Sequence, residues 1–247
     1  MADIIFGRRP VLEALKAGHP VEKILIQFGT QRSGISSIYK AAKQHGIPVT
    51  QAGRERFREL ANEHPTQGVI ALVSSKSYVE IDEILEIAKT KNESPFVLIL
   101  DEIEDPHNLG ALIRTAECAA IHGVVIPKHH SAAVNETVMK TSAGAAAHVA
   151  VARVSNIAQT VDELKQHNLW IVGADTSAKK TYFDVDYTGP IGIVIGSEGR
   201  GIRRLVKERC DFLVNIPLYG KVESLNASVA GGLLLFEVAR QRNLSTK

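Results

Sequence analysis

Residues 191–204 read IGIVIGSEGRGIRR. A run of Ile, Val and Gly stops abruptly, Gly, Ser, Glu and Arg follow, and apolar helical spacing resumes behind them. A run that is apolar on both alternating faces is a strand covered on both sides, as in a parallel sheet. Two other segments repeat the plan. DPHNLGALIRTAECAA (105–120) follows the strand-like FVLILD (96–101), and NIPLYGKVESLN (215–226) joins an apolar run to a very apolar helix. Three polar loops at the ends of three strands are where an open α/β sheet builds a site. Their Arg, Glu, Asn and Ser among glycines point to a nucleotide-like ligand.

Outward from these segments, strands and helices alternate. FVLILD, GVVIP (123–127), HVAVARV (148–154), LWIVGAD (169–175), GIVIG (192–196) and DFLVNIP (211–217) read as strands. Helices are expected near 108–121, 133–141, 155–167, 201–209 and 226–241. Such alternation predicts an α/β domain on a mostly parallel sheet. Upstream the rhythm is quicker. KILIQF (23–28), IPVTQ (47–51) and GVIALV (68–73) are expected strands between short amphipathic helices, one beginning at Pro10. The polar stretch SSKSYVEIDE (74–83) marks a boundary. The expected organisation is a small α/β domain over 1–75, a linker and first helix over 76–92, and a larger domain over 93–247.

The chain has 247 residues, 45% hydrophobic and 23% charged, enough for a proper core and unlike a disordered protein. No apolar run approaches the roughly 18 residues of a membrane span. MADIIFGRRPVLEAL lacks the build of a signal peptide, so a cytoplasmic protein without membrane association is expected. Cys118 and Cys210 lie in apolar segments and are expected as core thiols of a reducing compartment. The nine histidines show no metal-ligand spacing with the cysteines, so no metal is expected. The net charge of +2 is uneven: residues 1–75 hold ten Lys and Arg against six Asp and Glu. That excess suits a phosphate-bearing partner.

The glycines of the 196–201 loop do not match known nucleotide fingerprints. They read G-x-x-G-x-G late in their domain, whereas the dinucleotide motif is G-x-G-x-x-G after a first strand, with an acid about twenty residues on. The P-loop pattern is absent. Glycines here serve a close backbone approach or a positive φ. Arg114, among Leu112, Ile113 and Ala116, needs an anion or a partner if it is buried. Ser224 or Asn226 can cap the last helix. Gly231-Gly232 within that helix costs roughly 1 kcal/mol per residue, which tight packing or a dimer seam would justify.

Taken together, NLGALIR, IGSEGRGI and IPLYGKVESLNASVA resemble, in order and spacing, the three signature motifs of the SpoU/TrmH (SPOUT) RNA ribose methyltransferases. The resemblance covers about 93–247. FGRRPVLEAL and HPTQGVIA are similar to the substrate-binding domain of the subgroup acting on 23S ribosomal RNA. The resemblance implies a carboxyl-terminal sheet with a trefoil knot, a feature nearly absent from other proteins. It also implies a small amino-terminal RNA-binding domain of ribosomal-protein-like fold. S-adenosyl-L-methionine is the implied cofactor, 23S ribosomal RNA the implied partner, and a homodimer the implied assembly, with sites that can borrow residues across it. Carried onto this chain, Gly196, Ile216 and Leu225 would hold the cofactor. Asn108, Arg114, Glu198, Ser224 and Asn226 would form the catalytic cluster.

The implied reaction moves a methyl group to a ribose 2′-oxygen. Two roles for Arg114 stay open. As general base it would have to lose a proton, which for an arginine near pH 7 costs roughly 7–9 kcal/mol. As a permanent cation it would clamp a phosphate and stabilise a developing alkoxide, leaving the proton to Glu198, phosphate or water. Arg8 and Arg9 are the amino-terminal candidates for RNA contact, and Arg200, Arg203 and Arg204 lie beside the glycine loop. A transfer-RNA enzyme and a catalytically silent RNA-binding protein are the alternatives.

Overall fold

The computed structural model describes residues 4–17, 19–31, 34–61, 64–73 and 77–245. Its contacts divide into two compact bodies, Met1–Ser77 with Ala133–Glu136, and Tyr78–Ala132 with Thr137–Lys247.

In the first body, Ile24 and Ile26 pack into one apolar cluster with Val11, Leu15 and Ile38, while Leu25 packs into another with Phe57 and Ile70. That is the two-residue period of a strand covered on both faces. The elements are β1 (Ile4–Phe6), α1 (Arg8–Lys16), β2 (Val21–Gln27), α2 (Ser36–Gln44), β3 (Val49–Ala52), α3 (Arg54–Ala61) and β4 (Val69–Val73). The sheet order is β1-β4-β2-β3, with β4 antiparallel to both neighbours and β2 parallel to β3. Three-residue β1 has too short a pattern to be read from sequence, and it pairs on the edge of β4. Gly7 bridges β1 and α1 at φ +92° and donates its N–H to the Val69 carbonyl at 3.0 Å.

The second body opens with α4 (Ile81–Thr90), whose start is fixed by a reciprocal capping box between Glu80 and Glu83. There follow β5 (Phe96–Asp101), α5 (Pro106–Cys118), β6 (Gly123–Pro127), α6 (Glu136–Thr141), β7 (Val151–Val154), α7 (Ile157–Gln166), β8 (Trp170–Ala174), β9 (Lys180–Thr181), β10 (Ile191–Gly196), α8 (Arg204–Arg209), β11 (Phe212–Asn215) and α9 (Ala227–Ser245). The seven strands lie in the order β7-β6-β5-β10-β8-β11-β9, every pairing parallel. This order fits the knotted arrangement that the family resemblance implies. All six residues of β5 and of β10 are buried, and their register sets Gly196 opposite Asp101. The first two motif segments therefore leave the sheet side by side.

Four local expectations are corrected. The helix expected from 201 begins at Arg204, because Gly201 has φ +66°. The strand expected from His148 begins at Val151, because Ala145–Ala147 form a 3-10 turn. The helix expected near 108 begins at Pro106, because Asp105 caps it, accepting the His107 N–H at 3.0 Å. Cys118 is exposed rather than a core thiol: it lies on the outer face of α5, away from buried Ile113 and Ala116. Cys210 is partly buried, and burial pushes its thiol up to about 12.

Candidate active site

The three motif loops meet at the carboxyl edge of the parallel sheet. The second motif leaves β10 and closes on itself: Ser197 and Gly201 exchange backbone hydrogen bonds of 3.2 and 2.8 Å. A Cβ on Gly196 would lie 2.1 Å from the Gly201 carbonyl carbon, and Gly199 has φ +81°. The glycines thus fold the loop tightly, with Glu198 at its tip.

Glu198 is where the motifs join. Its Oε1 accepts Asn108 Nδ2–H at 3.1 Å, the Ala227 backbone N–H at 3.3 Å, and Asn226 Nδ2–H. Asn226 Nδ2 also donates to Asn108 Oδ1 at 2.9 Å. Asn226 is the cap of α9, its Oδ1 accepting the Ser228 and Val229 N–H groups at 2.9 and 3.3 Å. A cap of this kind contributes about 1 kcal/mol. The side chain therefore does two things at once: one end starts the helix, the other orients a carboxylate.

A cleft of about 540 Å³ lies against this cluster, lined by Gly196, Glu198, Ile216, Ser224 and Leu225 among others. A second cleft of about 190 Å³ is lined by Glu102, Asp105, Asn108 and also Glu198. Glu198 lines both. The structure so brings together Asn108, Glu198, Ser224, Asn226, Gly196, Ile216 and Leu225. It does not bring Arg114 to them. Arg114 is exposed on α5 and lines neither cleft. Arg8 and Arg9 belong to the other body. Arg8 N–H groups bond Gln67, the backbone N to Oε1 at 3.2 Å and Nε to the carbonyl at 3.1 Å, so FGRRPVLEAL and HPTQGVIA meet there. Arg9 is exposed.

Several residues of the site escaped the sequence reading. Asp175, at the end of β8, lines the large cleft with Lys207, its ion-pair partner. Burial pushes the Asp175 carboxyl up, but the Lys207 ammonium and two bonds from Ser177 outweigh it, holding the group below its ordinary value. Asp101, fully buried at the end of β5, binds Arg203. Arg203 and Arg204 were candidates for RNA. Arg203 is instead tied to Asp101, which raises its pKa, and Arg204 pairs with Glu208 one turn on. An acid closing an otherwise apolar strand, as in FVLILD and LWIVGAD, was the available signal.

Residues 95–236 match the SpoU rRNA methylase family, and residues 4–79 match the RNA 2′-O ribose methyltransferase substrate-binding domain. The chain belongs to the SpoU family and is an RNA 2′-O-ribose methyltransferase. Within that class it is 45% identical over 242 residues to YacO of Bacillus subtilis, a protein assigned by name to the TrmH family of tRNA/rRNA methyltransferases. That match covers 98% of this chain and 96% of YacO. A Staphylococcus haemolyticus protein named for the same family is 45% identical, covering 97% and 96%. Among solved structures, the SpoU methyltransferase AviRb of Streptomyces viridochromogenes, crystallised with AdoMet, shares the fold at 24% identity. Its TM-score is 0.62, over 98% of this chain and 90% of AviRb. The TrmH/SpoU tRNA modifying enzyme of A. aeolicus is 27% identical with a TM-score of 0.58, over 67% of this chain and 85% of that one.

Proposed function

We propose that this chain methylates the ribose 2′-hydroxyl of a guanosine in 23S ribosomal RNA, as a cytoplasmic enzyme of the RlmB type, with S-adenosyl-L-methionine as donor. The carrying observation is the Asn108–Glu198–Asn226 cluster, whose Glu198 lines the large cleft. The cleft suits the cofactor. Its volume of about 540 Å³ lies within the roughly 300–1,000 Å³ of small-molecule sites. Of the carboxylates that line it, Asp175 is paired with Lys207, and Glu198 and Glu223 are the ones placed to face a cation. When bound, S-adenosyl-L-methionine supplies a methyl group activated by a positive sulfur.

The chain's own residues do the rest. Backbone groups near Gly196, Ile216 and Leu225 read the adenosine. Asn108 and Asn226 fix the Glu198 carboxylate through Oε1, which leaves Oε2 to take the ribose hydroxyl proton or to pass it to water. Ser224 donates a hydrogen bond to the substrate. Arg114 acts as a permanent cation that clamps the RNA phosphate and stabilises the developing alkoxide.

Because Arg114 lies outside its own chain's cleft, the working site is shared in a homodimer. Val229, Leu233 and Phe236 form an apolar stripe on α9, 50%, 39% and 51% exposed, that such an assembly would cover. Arg8 and Arg9 anchor RNA phosphates on the amino-terminal domain, Arg9 as the freer cation. The test is to map ribose methylation in ribosomal and transfer RNA with and without the gene. One missing mark at a 23S guanosine is expected. Loss confined to transfer RNA removes the substrate assignment, and no loss in any RNA removes the activity.

A further inference from the structure

Asp101 ends β5 and Glu102 follows it, and both reach arginines of the loop that carries Glu198. Asp101 is fully buried. Its Oδ2 accepts the Arg203 backbone N–H at 2.8 Å, and its Oδ1 accepts Nε–H at 2.8 Å with Nη2 at 2.6 Å. Glu102 lies 3.5 Å from Nη1 of the same guanidinium, and 3.7 Å from Nη1 of Arg200. Successive strand side chains point to opposite faces. Two neighbouring carboxylates reach one guanidinium only if the backbone turns between them. Glu102 makes that turn at φ +62°, a conformation uncommon for a residue with a Cβ and one that tends to persist where the surroundings impose it.

The consequence lies at Glu198. The loop leaves β10 at Gly196, opposite Asp101 in register, and closes at Ser197 and Gly201. Its exit is then fastened to β5 through Arg203. Its tip meets Asn108, on the helix that follows the same strand. Asp101 and Arg203 line neither cleft, so they act through the loop. We propose that Asp101 and Arg203 are a positioning pair that sets the second motif loop so that the Glu198 carboxylate falls between Asn108 and Asn226. The inference rests on the reading of Glu198 as part of the catalytic cluster. The arginine matters as a fork: a lysine keeps the charge but not the paired N–H geometry.

The full-length Arg203→Ala, Arg203→Lys, Asp101→Asn and Glu198→Gln variants, and the Arg203→Ala/Glu198→Gln double variant, are assayed for methyl transfer from S-adenosyl-L-methionine to total ribosomal RNA. Arg203→Ala is expected to lower kcat by about 10–100-fold, the cost of a small misplacement, with KM for RNA within about threefold. Arg203→Lys should recover only part of the rate, and the double variant should be no slower than Glu198→Gln alone. Arg203 is partly exposed, so its variants stay informative should Asp101→Asn unfold. A folded Arg203→Ala with wild-type kcat, beside an impaired Glu198→Gln, overturns the pair alone, as do losses that multiply in the double variant. A fully active Glu198→Gln overturns the reading beneath it.

Discussion

Glu198 Oε1 takes hydrogen bonds from residues 90 and 28 positions away in sequence. Replacing either amide removes a donor that holds the carboxylate in place. Asn226→Ala should therefore cost twice, in α9 stability by about 1 kcal/mol and in methylation rate. Denaturant unfolding set beside the activity assay separates the two effects. Arg114→Ala should differ: an exposed guanidinium contributes little to stability. Methylation should be lost while S-adenosyl-L-methionine affinity, measured by calorimetry, stays near wild type. At the opposite edge of the sheet, buried His122 has an ordinary structural duty. Its Nδ1 accepts the Phe96 N–H at 2.9 Å, and its Nε2 lies 3.0 Å from Glu93. Burial lowers its pKa despite Glu93, so the folded state holds it neutral. Between the lowered folded value and the unfolded value near 6.5, only the unfolded chain carries the proton. Stability from this group is then complete above about pH 6.5 and is lost as pH falls, with a slope of at most about 1.4 kcal/mol per pH unit. Urea unfolding at about pH 7.5 and 5.5 should show a steeper loss for the wild type than for His122→Gln.

Glycines at element ends and in element interiors carry different constraints. A Cβ on Gly196 would meet backbone, Gly201 and Ile202 within 2.3 Å, and neither can yield without opening the loop. A Cβ on Gly231, within α9, would meet Leu112 Cδ2 at 2.4 Å, the end of a side chain that can rotate. Gly196→Ala should cost about 1–3 kcal/mol or more and abolish cofactor binding. Gly231→Ala should be near neutral, the helix gain of up to about 1 kcal/mol offsetting the shift of Leu112. Thermal unfolding with and without S-adenosyl-L-methionine compares them. The same contrast explains what was legible. Strands such as FVLILD and IGIVIG declare themselves because burial on both faces keeps the run apolar, as far as the terminal Asp101 in the first. The caps Asp105 and Asn226 are local, and the sequence pointed to Asn226 as one of two choices. The two-residue β9 has no period to read. The Asp101–Arg203 bond joins residues 102 apart, and nothing local distinguishes Arg203 from its neighbours Arg200 and Arg204.

At the scale of the molecule, α9 is an element whose surroundings are incomplete within one chain. Leu234, Leu235 and Val238 are fully buried, yet Val229, Leu233 and Phe236 face outward along one stripe at i, i+4 and i+7. A helix apolar on both sides is normally covered on both. In the proposed homodimer a second copy supplies that cover, and Arg114 on neighbouring α5 is carried to the partner's cleft. An isologous dimer makes this reciprocal, each subunit giving an arginine and receiving one. The arrangement can be tested by mixing two inactive variants. Arg114→Ala subunits retain Glu198, and Glu198→Gln subunits retain Arg114. After co-refolding in equal amounts, half the dimers are mixed, and each mixed dimer holds one site with both native residues. About a quarter of wild-type activity should return if the sites are shared. If each site is built within one chain, every site in the mixture lacks one residue and no activity returns. A Phe236→Glu change in both variants should abolish the recovery and shift the protein to monomer in sedimentation, since it places a charge on the stripe that the partner must bury.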